Sequence, residues 1–553
     1  GTAVVIRTPA PSWRNTTGIA LEVDTQWVDA SGYRVVRIHV ATAGGGPSPS
    51  NRNLLVELLP SNNNMKEGAF IASRSVTLPQ GATSVTERMF VPQNQPWYQL
   101  GTRLTLDGRT SDLHSTQSTL KNNAGGEWSE AVPAILVIDA DAPSLLERHK
   151  RLVRFNRNAR GMEPQTTLAD IRALEMLVNR AAYGGYDERR PRDMEILRRV
   201  ANTPRLELLP PGELPEEWIG LSCFDLVIVG YDDLQAMAGQ QPAQLQSLID
   251  WTATGGNLLV FGQGDGYENL SSTEQLLSLK PRTQHGNYLT AGWTPAANDD
   301  FHDGAVQTYQ LLESYRGYYD EVPASGHVNF GSRRGSGEVF GTQSRHKFLR
   351  RPLGFGLVLA MAARDPFPAT TTEWSWVLNT VGESRAMWYR RHGLSLRRQN
   401  NDFWDFLVPN TGRAPVFVFC ALITLFAICI GPVNYFLLAR QKRLYLLLVT
   451  IPGGAIVVTC CLVLYAVLAD GLGTQVRVRS YTLVDQTTGR AVNWSRQSYY
   501  AGIAPSRGMT FPDDTVVYTV EQFPHHENDR TSRRQKVLRW SEQNEQILRK
   551  GFL

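Results

Sequence analysis

Two uninterrupted apolar runs, at residues 414–438 and 444–468, stand out from a chain whose hydrophobic and polar positions otherwise alternate. Neither run contains Asp, Glu, Lys, Arg or His, and each exceeds the roughly 20 residues that a helix needs to cross a hydrocarbon core of about 30 Å. Between them stand only Ala439 and the basic turn Arg440-Gln441-Lys442-Arg443, a connector so short that the two helices must form an antiparallel hairpin. The pattern predicts a transmembrane hairpin, with a large water-soluble portion before it and a smaller one after.

Upstream the period changes twice. Residues 1–130 carry short segments that alternate with period two: ALEVDTQWV from Ala20, YRVVRIHV from Tyr33, NLLVELL from Asn53, SRSVTL from Ser73, TSVTERMFV from Thr83 and TRLTLDG from Thr102. Gly/Pro/Asn breaks separate them at hairpin spacing, which predicts an Ig-like β-sandwich. From residue 131 to 370 the strands become wholly apolar and alternate with helical stretches. The segments AILVID (from Ala134), DLVIVG (from Asp225), NLLVFG (from Asn257) and GFGLVLAMAA (from Gly354) read as buried strands. LADIRALEMLVNRAA, from Leu168, has helical spacing, and PAQLQSLIDWTATGG opens on Pro242 and stops at Gly255-Gly256 as a helix does. Such alternation implies a doubly wound α/β domain of flavodoxin-like type, its parallel sheet covered on both faces. Residues 371–413 read as an aromatic and Arg-rich juxtamembrane linker, and residues 469–553 as a further β-rich domain. Both ends read as cut, because the chain enters a strand-like segment almost at once after Gly1 and stops without a polar tail.

Composition narrows the function classes. The net charge of +4 over 553 residues is too small to argue for nucleic acid. Of the five cysteines, Cys420, Cys429, Cys460 and Cys461 lie in the apolar runs as small hydrophobes, leaving Cys223 alone in a soluble region, so no disulfide framework is expected. By the positive-inside rule, Arg440, Lys442 and Arg443 belong in the cytoplasm and both soluble portions outside it, although Arg413, Arg477 and Arg479 flank the opposite end.

The series Trp218-Ile219-Gly220-Leu221, Phe224-Asp225, then Leu248-Ile249-Asp250-Trp251 and Gly255-Gly256-Asn257-Leu258-Leu259-Val260 resembles class I glutamine amidotransferase-like domains of bacterial, planctomycete-like membrane proteins. The hairpin sequence Gly431-Pro432-Val433-Asn434-Tyr435-Phe436, Ile451-Pro452 and the later Tyr499-Tyr500-Ala501-Gly502-Ile503-Ala504-Pro505-Ser506-Arg507 resemble the same multidomain envelope proteins. What the resemblance implies is an amidotransferase-like α/β fold in the bacterial inner membrane, its soluble domains extracytoplasmic. An active amidotransferase uses a cysteine on a sharp strand-to-helix turn, with a histidine as base and a carboxylate behind it. Here Gly262-Gln263-Gly264-Asp265-Gly266 stands where that cysteine would, and Cys223 precedes a strand, beside Phe224. Without a cysteine partner, His285 and His302 carry little weight.

Candidate contact residues remain at the carboxyl edge of the sheet, where ligands bind in this fold class. Asp139 and Asp141 follow the first strand; an acid there also caps helices. Gly262, Gly264 and Gly266 form a glycine-rich loop that offers backbone amides to an anion or serves as a plain turn. The basic run Arg148-His149-Lys150-Arg151, with Arg154, Arg157 and Arg160, reads as a solvated helix face or a surface for anionic headgroups. No metal is expected, since His525-His526 with Glu527 and Asp529 lacks further ligands. Within the hairpin, Asn434 is expected to form an interhelical hydrogen bond, Pro432 and Pro452 to kink their helices, and Gly453-Gly454 to let the backbones approach.

The sequence thus predicts no catalytic residue, no cofactor and no nucleic-acid partner. It leads to a membrane-anchored interaction or scaffold protein of the cell envelope, whose partners are the bilayer and other envelope proteins. An auxiliary subunit of an ABC-type exporter and a hydrolase or transferase with an unrecognised site are the alternatives.

Overall fold

The computed structural model of the chain describes residues 5–9, 14–61, 70–93, 99–119, 133–141, 206–279, 292–295, 348–367, 374–395, 400–409, 416–470, 473–501, 508–520, 536–542 and 546–552, a few positions within these ranges excepted. It has two compact units: residues 1–400 with 482–493 and 510–553, and residues 401–481 with 494–509.

In the first unit the period-two segments become strands β1 (Val5–Thr8), β2 (Ile19–Asp24), β3 (Tyr33–Thr42), β4 (Arg52–Ser61), β5 (Phe70–Leu78), β6 (Ser84–Pro92), β7 (Gln99–Leu106) and β8 (Arg109–Thr119). One sheet runs β1-β2-β3-β6, and the other contains β5-β4-β7-β8. Alternation places Ile19, Leu21 and Val23 of β2 and Val36, Ile38 and Val40 of β3 in the core, with Leu54, Val56 and Leu58 of β4 and Leu100 and Leu104 of β7. Buried His114 on β8 reaches the other sheet, its Nε2 lying 3.1 Å from the Ile19 carbonyl oxygen. Burial holds the imidazole below its ordinary pKa, so it is neutral there.

The α/β portion is a mixed sheet. Its strands are β9 (Ile135–Ile138), β10 (Leu206–Leu209), β11 (Leu226–Gly230), β12 (Asn257–Phe261), β13 (Thr294–Pro295), β14 (Phe348–Leu353) and β15 (Gly356–Met361), in the order β10-β9-β11-β12-β15-β14-β13. The first five in that order are parallel, and β14 and β13 extend the edge antiparallel. Every residue of β9, β11 and β15 is buried, as expected of strands covered on both faces. Three helices are α1 (Tyr231–Gln240), α2 (Pro242–Ala253) and α3 (Leu270–Leu276). The helical stretch from Leu168 lies outside the described residues.

Two boundaries differ from the sequence expectation. The stretch read as a linker holds packed structure: α4 (Glu383–Ala386) and α5 (Trp388–His392) lie at the amino edge of the sheet, joined to it through Arg385 and Arg391. There Arg391 Nη2 lies 2.9 Å from Asp225 Oδ1 with both side chains buried, and donates to the Phe224 carbonyl at 3.1 Å. Asp225 Oδ2 accepts the Ala134 amide at 2.9 Å, and Asn257 Nδ2 donates to the Asp225 carbonyl at 2.7 Å, so the Asp225 carboxylate ties the start of β9 to α5 while its backbone carbonyl ties β11 to β12. Contacts this distant in sequence leave no local period to read. Likewise, the C-terminal strands do not stand as a separate domain. β18 (Met509–Phe511), β19 (Lys536–Glu542) and β20 (Gln546–Phe552) complete the second sandwich sheet as β18-β20-β19-β5-β4-β7-β8. β19 runs parallel to β5, from Leu538 opposite Phe70 to Glu542 opposite Arg74. An alternating pattern predicts a strand but not its partner.

In the second unit the apolar runs form α6 (Val416–Ile428), a π-helical turn (Cys429–Val433), α7 (Asn434–Arg440) and α8 (Leu447–Asp470). The spans Cys420–Arg440 and Leu444–Leu464 are long and apolar enough to cross a membrane, and almost none of their residues is fully buried in protein. Pro432 falls in the π-helical turn, where its missing N–H relaxes the ladder. Asn434 Nδ2 donates to Thr450 Oγ1 at 2.7 Å across the hairpin. A Cβ on Gly454 would stand 2.2 Å from Ile430 Cδ1, so the glycine lets Ile430 of the facing helix pack close without shifting its side chain. The unit also holds most of the hairpin of β16 (Thr474–Asp485) and β17 (Arg490–Ala501).

Candidate functional site

The strand order β10-β9-β11-β12-β15 reverses direction between β9 and β11, and the crevice outside the carboxyl ends of these two strands is where doubly wound sheets take ligands. Asp139 follows β9 directly. Its amide donates to the Leu209 carbonyl at 3.1 Å, and its Oδ1 accepts the Asp141 amide at 2.7 Å in a tight Asx turn. On the neighbouring strand, β11 passes at Gly230 straight into α1, whose first turn carries Asp232 and Asp233. These acids suit the positive end of the helix dipole.

Gathering them has an electrostatic consequence. Burial, then the negative charge of Asp139, raises the Asp233 carboxyl from 3.8 to about 6; Asp232 and Asp141 push the same way, while the Ala140 amide hydrogen bond opposes them. A carboxyl poised there exchanges protons near neutral pH. The negative edge favours cationic or hydrogen-bond-donating groups and repels phosphates.

The glycine loop continues this edge from β12. Gly262 abuts Tyr231, since a Cβ on it would lie 3.7 Å from the Tyr231 Cβ. Gly262 and Gly264 have φ of +78° and +85°, conformations that favour glycine. The loop closes on itself: Gly262 and Gln263 amides donate to the Ala363 and Met361 carbonyls, the Tyr267 amide donates to the Gly264 carbonyl, and Asn269 Nδ2 donates to the Gly262 carbonyl. Glu268 Oε1 accepts the Gly266 amide at 3.0 Å. A Cβ at Gly264 would stand only 2.0 Å from Glu268 Oε2. The protein's own carboxylate thus occupies the place in front of the loop that an anion would take, and a side chain at Gly264 would have to displace it and hold a left-handed backbone.

The structure brings Asp139, Asp141 and Gly262 to one sheet edge, with Gly264 and Gly266 folded onto Glu268. Asp232, Asp233 and Glu268 complete the picture and were not foreseen. The rule that selected Asp139, an acid directly after a buried strand, also selects Asp232 and Asp233 after DLVIVG.

Cys223 lies elsewhere, fully buried where the sandwich meets the α/β portion. Trp27 Nε1 donates to its Sγ at 2.9 Å, and Trp27 stacks edge-on to Phe224 with centroids 5.5 Å apart. Gly32 packs so closely on the Cys223 backbone that a Cβ would come within 2.5 Å. Burial pushes the thiol well above its ordinary pKa, the opposite of what a nucleophile needs. His285, His302, His525, His526, Glu527 and Asp529 lie outside the described residues, as does the basic run from Arg148 to Arg160. Among the described residues no group of three His, Cys, Asp or Glu side chains is arranged to hold a metal ion.

No family model and no curated protein matches the chain. Solved structures with partial likeness include a glycosyl hydrolase family 2 member from Bacteroides cellulosilyticus DSM 14838, at 12% identity over 48% of this chain and 44% of that one, with a TM-score of 0.14. Others are a Bacteroides uniformis beta-glucuronidase, at 12% identity over 55% and 44% with a TM-score of 0.18, and a putative beta-galactosidase from Bacteroides fragilis, at 13% over 44% and 38% with a TM-score of 0.14. The chain spans less than half the length of each of these proteins.

Proposed function

We propose that the chain is a membrane-anchored interaction or scaffold component of the bacterial cell envelope, with a catalytically silent amidotransferase-like domain held beside the inner membrane on its extracytoplasmic side. The observation that carries this reading is the occupation of the glycine loop by Glu268, whose carboxylate lies 2.0 Å from where a Cβ at Gly264 would stand. Two further observations support it: the sealed setting of Cys223, and a pair of apolar spans almost none of whose residues is fully buried in protein. In this reading the acidic switch-point edge of Asp139, Asp141, Asp232 and Asp233 is a recognition surface for a basic segment of a partner envelope protein.

The test is recovery of partners by the full chain in mild detergent. An Asp139→Asn/Asp233→Asn variant, made to the wild-type level and equally monodisperse, should lose partners that wild type retains. Unchanged recovery removes the switch-point edge from the proposal. Hydrolysis or amide transfer by the purified chain that survives Cys223→Ser overturns the non-catalytic assignment.

A further inference from the structure

We infer that the open end of the apolar hairpin carries a binding site for the phosphate of an anionic phospholipid headgroup, built from Arg477, Arg479 and Arg496 around Phe406. The three guanidinium carbons lie 5.2, 5.5 and 5.2 Å from the centroid of this one ring. No two of them can therefore be farther apart than about twice the longer distance. Cation–π attraction to a buried ring holds each in place but neutralises none of them. Among the described residues one carboxylate, Asp402, pairs with the cluster, through Arg496. Arg477 spends its Nη1 on the Asp405 and Leu407 carbonyls, at 2.8 and 2.9 Å, which fixes the 401–407 turn against β16. Arg479 is exposed, and among the described residues neither a carboxylate nor a carbonyl holds it. Positive charge is thus concentrated and pre-oriented in excess of its protein counter-charge, the arrangement that recognises a phosphate oxygen.

Position identifies the source of that phosphate. Phe406 precedes α6 and Arg477 follows α8, so the cluster belongs to the end where both apolar helices leave, opposite the turn at Arg440, Lys442 and Arg443. Beside Phe406 the turn presents Trp404, 61% exposed, and Leu407, 37% exposed. An indole with apolar neighbours, next to guanidinium groups at the end of a membrane-crossing pair, matches the headgroup layer, where aromatic rings and basic side chains anchor spans.

The inference is tested on the full chain, purified in detergent, by native mass spectrometry with dioctanoyl phosphatidylglycerol, dioctanoyl phosphatidylcholine and inorganic phosphate as separate probes. Wild type should retain phosphatidylglycerol in preference to phosphatidylcholine. Arg479→Gln should weaken that retention about fivefold, the effect of roughly one basic residue at a lipid surface. Arg479→Lys should largely preserve it. Asp402→Asn, which removes the competing carboxylate, should strengthen it several-fold, an increase that misfolding cannot mimic. The site is refuted if Arg479→Gln and Asp402→Asn both bind as wild type, or if binding is lost only in an Arg440→Gln/Lys442→Gln/Arg443→Gln variant. Displacement of phosphatidylglycerol by equimolar inorganic phosphate refutes the lipid as its ligand.

Discussion

Asp233→Asn should make the protein more stable at neutral pH, and the gain should vanish in acid. The carboxyl is half-buried beside Asp139, and its pKa rises from 3.8 to about 6. A carboxyl that holds its proton more tightly when folded favours folding below about pH 3.8 and loses that advantage as pH rises through 6. Above pH 6 it remains a charge that the fold would rather not carry. At about 1.4 kcal/mol per pH unit the full rise corresponds to about 3 kcal/mol. Solvent reaches part of the side chain and screens it, so a gain on the order of 1 kcal/mol is expected. Asparagine keeps an oxygen for the Ala140 amide and removes the charge, which makes the substitution close to isosteric.

The assay is thermal unfolding of the full chain in detergent between pH 4 and 8. Relative to wild type, Asp233→Asn should unfold at higher temperature at pH 7.5, the gap narrowing below pH 6 and closing near pH 4. Asp139→Asn should give a smaller shift of the same sign, because it removes the second cause of the raised pKa and leaves the burial. A gap that stays constant with pH, or a variant less stable than wild type at pH 7.5, would refute the electrostatic account of this edge.

Further substitutions probe three other parts of the first unit. Cys223 should resist alkylation in the native chain and react once the chain is denatured, as read by peptide mapping, and Cys223→Ser should leave partner recovery intact. Gly264→Ala should cost roughly 1–3 kcal/mol in denaturant unfolding, from its left-handed backbone and the clash with Glu268, and Glu268→Ala should restore part of the loss. Arg391→Ala should cost about 3–5 kcal/mol because it strands the buried Asp225 carboxylate, whereas Arg390→Ala on the exposed side of α5 should cost under about 0.5 kcal/mol.

What was legible in the sequence was whatever a local period encodes. Strands β2 to β7 and β9, β11, β12 and β15 follow from period two or from short apolar runs bounded by glycine, and the hairpin follows from length and apolarity alone. Asn434 could be paired in advance because, inside an apolar helix, a lone amide has few places to go but across the hairpin. Strand β10, helices α1 and α3 and the antiparallel β14 escaped notice because their segments are short and carry mixed polarity. The partnership of β19 with β5, the Arg391–Asp225 lock and the Glu268 plug are contacts between residues whose individual sequence contexts look ordinary. The candidate edge was half legible: Asp139 and Asp141 were named by their place after a strand, but the two acids that complete it come from a second strand end, brought beside the first only by the sheet order.

The pairing of β19 with β5 constrains topology independently of hydropathy. Residues 70–74 and 538–542 exchange backbone hydrogen bonds, so they must occupy the same compartment, although both apolar spans lie between them. A single crossing would separate them, and an antiparallel pair returns the chain to the side it left. For a hairpin that crosses a bilayer, the strand register predicts residues 70–74 and 538–542 on one face and the basic turn at Arg440, Lys442 and Arg443 on the other. Engineered cysteines at Gln80 and Ala491, both exposed, test it in a chain in which Cys223 is sealed and Cys420, Cys429, Cys460 and Cys461, which lie in the apolar spans, are replaced by alanine. A membrane-impermeant maleimide should label both sites from outside intact spheroplasts, by the positive-inside rule. Labelling of both only after lysis reverses the orientation but keeps the shared compartment. Labelling of one before lysis and the other only after it would break the β5–β19 pairing, and with it the assignment of the C-terminal strands to the sandwich.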